Sequence, residues 1–386
     1  MRFTIISTLL LTALLYSSCK KQDVAASSTG PDNCSINTSL GGTVIPGQYI
    51  IAYKPSGTLL ASAAGMKQKS RDVLAENDIP TTAVRSSFEG ERAGFVAHIT
   101  EEQAKKLSAD ASIASVEPDR IVALGTCFTI VSPTLITWNI NKVGYGNGIG
   151  KTAWIVDSGI DFTHPDLNVD TLKSKSFVDS EPSANDENGH GTHVAGIIGA
   201  KNNNYGVLGV ASGATLVSLK VLDKDGNGTL SSIIQALAYA STHAKAGDVV
   251  NLSLGEESSS DILDQEVQSI ASQGMFVTIA AGNDSKAADL YSPARANGTN
   301  IFTVSAVDSL DNFASFSNFG NDAVDYAAPG VRVLSTYKGG LYAKMSGTSM
   351  AAPHVAGLLL VEGNHLHDAG TAKNDPDGNA DRIVHL

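Results

Sequence analysis

Short apolar runs alternate with helix-like stretches over most of the chain. From about residue 150 the runs are Ala153–Val156, Thr215–Leu222, Asp248–Leu254, Met275–Ala281 and Ile301–Val307. Between them, the spacing of apolar positions predicts helices over 191–200, 230–246 and 261–273. The runs are continuous rather than alternating, which is the pattern of strands buried on both faces. Buried strands separated by helices predict an α/β fold, with a mainly parallel sheet flanked by helices. In such sheets ligands bind beyond the carboxyl ends of the strands. The polar residues just after the runs are therefore the first candidates for chemistry.

Residues 45–124 follow another pattern. Strands are expected at Gln48–Tyr53, Ala93–Ile99 and Ile113–Glu117, and a helix over 61–77. A second helix opens at Thr100-Glu101-Glu102-Gln103, the spacing of a capping box. This is a small α+β unit. Residues 19–44, rich in Ser, Thr, Gly and Asn, read as a flexible linker. Residues 373–386 read as a polar C-terminal tail. Residues 1–18 join Arg2 to an apolar stretch too short to span a bilayer, which is the pattern of an export signal. Leu15-Tyr16-Ser17-Ser18-Cys19 resembles a bacterial lipoprotein signal, so two outcomes are open. Either Cys19 becomes a lipid anchor in the cell envelope, or cleavage near Ser18 releases an extracellular protein.

Composition narrows the function. At 42% hydrophobic and 17% charged residues, the 386-residue chain can bury a core and is not disordered overall. The net charge of −12 lies entirely beyond residue 125: 12 basic and 12 acidic residues come before, 15 and 27 after. An acidic main domain argues against nucleic acid as a partner. Three cysteines, Cys19, Cys34 and Cys127, make neither a disulfide framework nor a C-x-x-C zinc pair.

Four positions carry candidate chemistry. Asp157 follows the run AWIV; His190 opens His-Gly-Thr-His-Val-Ala-Gly; Asn283 follows TIAAG; Ser349 lies in Gly-Thr-Ser-Met-Ala-Ala-Pro-His before an apolar helix. A serine hydroxyl becomes nucleophilic when an imidazole takes its proton. A carboxylate on the other ring nitrogen fixes the tautomer. An amide side chain can donate to a developing oxyanion. Each residue alone has a bland reading, as a cap, a turn residue or a structural histidine, and His193 is expected to be structural.

Together these segments resemble the subtilisin-like serine proteases, the subtilases. DSGI, HGTHVAG, AAGN and SGTSMAAPHVAG match the family's motifs in its order, over about residues 135–365. The resemblance implies a three-layer fold and endopeptidase activity. Asp157 would orient His190, His190 would act as general base and acid, Ser349 as nucleophile and Asn283 as oxyanion donor. It also implies two peptide-binding edges, Gly226-Asn227-Gly228 and Ser253-Leu254-Gly255, with Leu230 lining an apolar pocket. Glu256 and Glu257 stand near the primary pocket, where they either favour basic side chains or face solvent.

Residues 202–210 resemble the family's calcium loop. By that resemblance, Ca2+ would be held by the side chains of Asp166 and Asn203 and the carbonyls of Lys201, Tyr205 and Val207; the alternative is a metal-free turn. No organic cofactor is expected. Asp223-x-Asp225-x-Asn227-Gly228 starts like an EF-hand but has Ile234 at position twelve, and fails. Asp375-x-Asp377-x-Asn379-x-Asp381 reads as part of the solvated tail, with weak calcium binding as the alternative, and the glycines at 144, 146, 148 and 150 open no helix.

GQYIIAYK and ASVEPDRIVAL make residues 45–124 resemble the family's inhibitor-like propeptide. The implied partner is intramolecular: a chaperone and inhibitor, removed by self-cleavage between about 122 and 134, from a peptidase domain over 125–372. Otherwise the partners would be protein or peptide substrates, and the molecule a monomer. A pairing of Cys34 with Cys127 would keep the cut parts tethered. Two rival functions stay open: a catalytically silent envelope binding module, and an esterase or transpeptidase. The order Asp, His, Ser separates the chain from lipase-type hydrolases, which run Ser, Asp, His.

Overall fold

The computed structural model describes residues 41–55, 63–90, 92–124, 127–130 and 134–386. The export signal, Cys19 and Cys34 lie outside the described residues. The N-terminal unit contains β1 (Val44–Tyr53), α1 (Ala63–Glu76), β2 (Val84–Phe88), β3 (Gly94–His98), α2 (Glu101–Ser108) and β4 (Ile113–Ala123). Then come β5 (Cys127–Ile130), α3 (Trp138–Val143), β6 (Gly146–Asn147), β7 (Thr152–Asp157), β8 (Lys175–Ser176), α4 (His190–Gly199), β9 (Ala211–Ser212), β10 (Thr215–Lys220), β11 (Asn227–Thr229) and α5 (Leu230–His243). The chain closes with β12 (Val249–Leu252), α6 (Asp261–Ser272), β13 (Phe276–Ala280), β14 (Ile301–Val307), β15 (Tyr326–Pro329), β16 (Val333–Tyr337), β17 (Leu341–Ser346), α7 (Thr348–Glu362), β18 (His367–Thr371) and β19 (Arg382–His385).

The large sheet runs β18-β19-β15-β14-β13-β12-β7-β10-β8. Every pair is parallel except the β18–β19 hairpin at one edge. β7 lies third from one edge, with β10 on one side and β12 on the other. Strand order reverses there, so a crevice opens beyond the carboxyl end of β7, at Asp157. The all-apolar runs have the expected cause: Ala153, Trp154, Ile155 and Val156 are all buried, and alternate residues feed two different cores. One core packs α4 and α7 against one face, and the other packs α5 and α6 against the opposite face. This is the three-layer α/β arrangement expected.

The N-terminal unit has its own small core around Ile51, Phe95, Leu74 and Leu107. Its α2 has the expected capping box: Thr100 Oγ1 accepts from the Gln103 amide, and Gln103 Oε1 from that of Thr100. Its sheet, in the order β11-β4-β1-β3-β2, takes its edge strand, β11, from the larger C-terminal part. β4 runs on to Ala123, well past the expected Glu117, because its second half pairs with that borrowed edge.

Two expectations about chain ends are corrected. Residues 373–386 are not a solvated tail. β19 joins the large sheet beside β15, with Ile383 and Val384 fully buried, and Asp381 is buried against Ser305. The apolar pair is too short to stand out among polar neighbours. The 19–44 linker also ends early: Gly42 N–H donates to the Ile121 carbonyl, and Ile121 N–H to that of Thr43. Among the described residues, no helix is long and apolar enough to cross a membrane.

Candidate active site

Asp157 is the last residue of β7 and His190 the first of α4. His190 Nδ1 lies 2.8 Å from Asp157 Oδ1 and 3.0 Å from Oδ2, both groups fully buried. A carboxylate accepts, so Nδ1 carries the proton and Nε2 is left as the basic nitrogen. Nε2 is buried and makes no hydrogen bond. Close backbone approach makes this pairing possible. A Cβ on Gly191 would sit 2.1 Å from the Gly159 carbonyl, so only glycine lets α4 begin against the strand end.

Asp186 was not singled out in the sequence, yet it organises this helix start. Its Oδ2 accepts from the Thr192 N–H at 2.9 Å and the Thr192 hydroxyl at 2.6 Å. Its Oδ1 accepts from Ser158 Oγ and from the Asn188 and Gly189 amides. The carboxylate thereby satisfies helix-start donors that Gly189, the N-cap, cannot. Lys220, opposite Asp157 in β10, is fully buried and donates to the Ser158 carbonyl at 2.6 Å and that of Leu222 at 2.8 Å. It also pairs with Glu181 at 3.0 Å.

Ser349 is the second residue of α7, which packs against α4. Its Oγ donates to the Ser253 carbonyl at 2.9 Å rather than to His190, and Ser253 Oγ donates back to the Ser349 carbonyl at 2.7 Å. Asn251 and Thr278 extend this buried chain beneath Ser253. Asn283 Oδ1 accepts from the Thr348 N–H at 2.8 Å and hydroxyl at 3.0 Å. The amide is thus oriented with its Nδ2 end away from Thr348. His193 and His354 are structural. Burial holds the former at about 3, where Nε2 donates to the Val333 and Ala343 carbonyls. It holds the latter at about 4, with Nδ1 donating to the Met350 carbonyl and Nε2 accepting from Asn139.

The edge Gly226-Asn227-Gly228 is occupied. β4 pairs antiparallel with β11, Val122 opposite Gly228, and the Leu124 amide donates to the Gly226 carbonyl at 2.9 Å. Leu230 is buried in the same apolar cluster as Val122, with Leu124 packed against it. Leu254 is buried, while Gly255 reaches no tight contact.

Asp166 is fully buried, and its carboxylate meets neutral donors: Asn203 Nδ2 at 3.0 Å, the Val207 N–H at 2.9 Å and the Tyr342 hydroxyl at 3.3 Å. Asn203 Oδ1 accepts from the Tyr205 N–H, and Lys201 reaches the Pro165 carbonyl. Loop and carboxylate are thus together, although among the described residues no group of three or more His, Cys, Asp or Glu is placed to hold a metal.

Against known proteins, residues 150–365 match the Subtilase family, more than half of the chain. The chain belongs to the subtilase family. Residues 48–125 of this subtilase match the Peptidase inhibitor I9 family. It is 48% identical to Subtilisin BL of Lederbergia lenta over 58% of this chain and 83% of that protein. It is 39% identical to Subtilisin E of Bacillus subtilis over 81% and 79%. A crystal structure of a cold adapted subtilisin-like serine proteinase superposes with a TM-score of 0.57 at 32% identity, covering 65% of this chain and 98% of that one. The subtilase is therefore a serine-type endopeptidase that carries an I9 inhibitor domain.

Proposed function

We propose that Asp157, His190 and Ser349 are the catalytic triad of this peptidase and that Asn283 is an oxyanion donor. The observation that carries the reading is the buried Asp157–His190 pair, which leaves Nε2 basic and unpartnered. Ser349 Oγ turns from the Ser253 carbonyl towards His190, gives Nε2 its proton and bonds to the substrate carbonyl carbon. Charge moves onto the carbonyl oxygen, where Asn283 Nδ2 and the α7 N-terminus stabilise it. The imidazolium then protonates the leaving amine, and an acyl-enzyme forms. Water repeats the sequence and frees Ser349. Substrate adds as an antiparallel strand against Gly226-Asn227-Gly228, with Ser253-Leu254-Gly255 on its other side; β4 holds the first of these edges before processing.

On this reading residues 45–124 are a propeptide, and the peptidase runs from about residue 125 to the C-terminus. The protein is an exported proenzyme, anchored in the envelope when Cys19 is lipidated. The Asp166 loop binds Ca2+: a buried carboxylate met only by neutral donors suits a hard cation, with Asn203 and the carbonyls of Lys201, Tyr205 and Val207 completing the set. The deciding experiment is intact mass of the exported wild type and Ser349→Ala. Wild type is expected to lose its first ~120–130 residues, as the position of β4 in the cleft implies, and Ser349→Ala to keep them. If both stay full length and neither cleaves casein, the triad assignment fails.

A further inference from the structure

The two glutamates after the Ser253–Gly255 edge are not equivalent. Glu257 is half exposed and its charge is met by Lys286. Glu256 is only 4% exposed. Its backbone is fixed by the Glu256 N–H donating to the Ser292 carbonyl at 3.2 Å. Its Oε1 accepts from Ser258 Oγ at 2.7 Å, while Oε2 is buried without a hydrogen-bond partner.

What covers Glu256 is the N-terminal unit. Arg120, in β4, and the Gly42 amide are the groups of that unit that favour its charge, while burial and nearby Asp119 oppose it. Arg120 Nη1 donates to the Gly42 carbonyl at 2.7 Å, which holds the guanidinium over this side of the cleft. Asp119 is committed elsewhere, to Ser231 and Gln48. Within the unprocessed molecule the Arg120 guanidinium, held at Gly42, thus lies near enough to favour the charge of an under-satisfied buried carboxylate. A buried carboxylate without a full set of partners is costly, and a cation that completes it is favoured over any neutral side chain.

We infer that Glu256 is a specificity-determining residue: it selects a basic side chain in the substrate at the position Arg120 holds, two residues before the one opposite Gly228. This rests on the reading that substrate replaces β4 in the cleft. When β4 and Gly42 leave, the carboxylate opens to the cleft, and the substrate supplies the cation. Arg120 is then the propeptide's copy of the preferred substrate residue.

Two measurements test the subsite. In the full-length Ser349→Ala chain, which needs no turnover, Arg120→Ala and Glu256→Gln are made singly and together, and unfolding midpoints are compared. The shift caused by Arg120→Ala is expected to shrink at least about twofold when Glu256 is Gln, because charges that share an environment couple; additive shifts overturn the proposal. With processed enzyme, three peptides differing only at the stated position (Arg, Ala, Glu) are compared by kcat/KM. Arg is expected over Glu by about tenfold in wild type, and the ratio to collapse towards one in Glu256→Gln. A flat wild-type series, or an order that survives in Glu256→Gln, overturns it. Absence of turnover on all three peptides would strike the Ser349 mechanism, and the Ser349→Ala cycle would still decide the Arg120–Glu256 pair.

Discussion

Asp157, His190 and Ser349 stood out in the sequence only as a set, because their flanking motifs together repeat a family pattern. The residues that hold them were not. Asp186 sits in a polar Asn-Asp-Glu-Asn stretch where an acidic residue is ordinary. Only the folded turn brings it to the α4 amides. Asn251, Thr278 and Lys220 lie inside apolar strands, where a polar letter reads as noise until its partner is seen. Two predictions belong at this scale. Asn283→Leu should lower kcat by roughly 10²–10³, the loss typical of an oxyanion donor, with KM little changed; steady-state kinetics on a peptide substrate checks it. Asp381 is a different case. Burial, with Asp375, Asp377 and Asp325 nearby, raises its carboxyl to about 7, and burial holds Asp325 at about 6. A carboxyl raised in the folded state keeps its proton more tightly there, so stability falls as pH rises from about 4 through 7. Asp381→Asn fixes the neutral form, and should melt higher than wild type at pH 8, by about 1 kcal/mol, and alike near pH 4. Thermal unfolding at the two pH values reads the difference.

At the level of elements, the five central parallel strands announced themselves, since both faces are buried and each run is mostly apolar. β15, β16, β17 and β19 did not. They are four to six residues long, carry Ser, Thr, Lys or Arg or, in β15, two alanines and a proline, and owe their strand form to pairing rather than to local preference. The contact between the inhibitor domain and the helices α5 and α6 was equally hidden. Asp119 accepts from the Ser231 N–H at 3.0 Å near the start of α5. Glu117 accepts from the Ile262 N–H at 3.1 Å and from Ser260 Oγ at 2.7 Å at the start of α6. Two carboxylates of one strand thus cap two neighbouring helices, where amides lack partners and the dipole favours negative charge. Each cap contributes about 1 kcal/mol. Asp119→Ala with Glu117→Ala should therefore weaken inhibition by the added I9 domain about tenfold or more; inhibition constants measured on processed enzyme test this.

The whole molecule is stitched across the cleft by one strand. A cavity of about 1210 Å³ lies beside that seam, lined by Arg85 and Phe88 on one side and Phe177 and Tyr239 on the other. The domains therefore meet through β4, its caps and a shared apolar layer, in which Ile50, Ala52, Phe88 and Val122 pack with α5 and α6, and open space lies alongside. The Asp166 loop bears on the stability of the peptidase part. Removing Ca2+ with a chelator should lower the melting temperature of processed enzyme by several degrees, as expected for loss of a ligand bound only by the folded state. Asp166→Asn should abolish most of that sensitivity. An unchanged melting curve in both would show that internal donors suffice for Asp166.

On the proposed reading of the N-terminal unit as a removable propeptide, the borrowed edge strand makes maturation one-directional. While joined, the sheet of the inhibitor domain is completed by β11, and neither partner shows a bare strand there. Once the two part, the long β4 is left with a row of unpaired amides and carbonyls. On the proposed mode of substrate binding, an extended chain with a free edge is the shape this peptidase grips. The released guardian is thus turned into prey, and each molecule digested removes one that could silence a neighbour. A small active fraction would, on this account, spread activity through the remaining population as a self-sharpening wave.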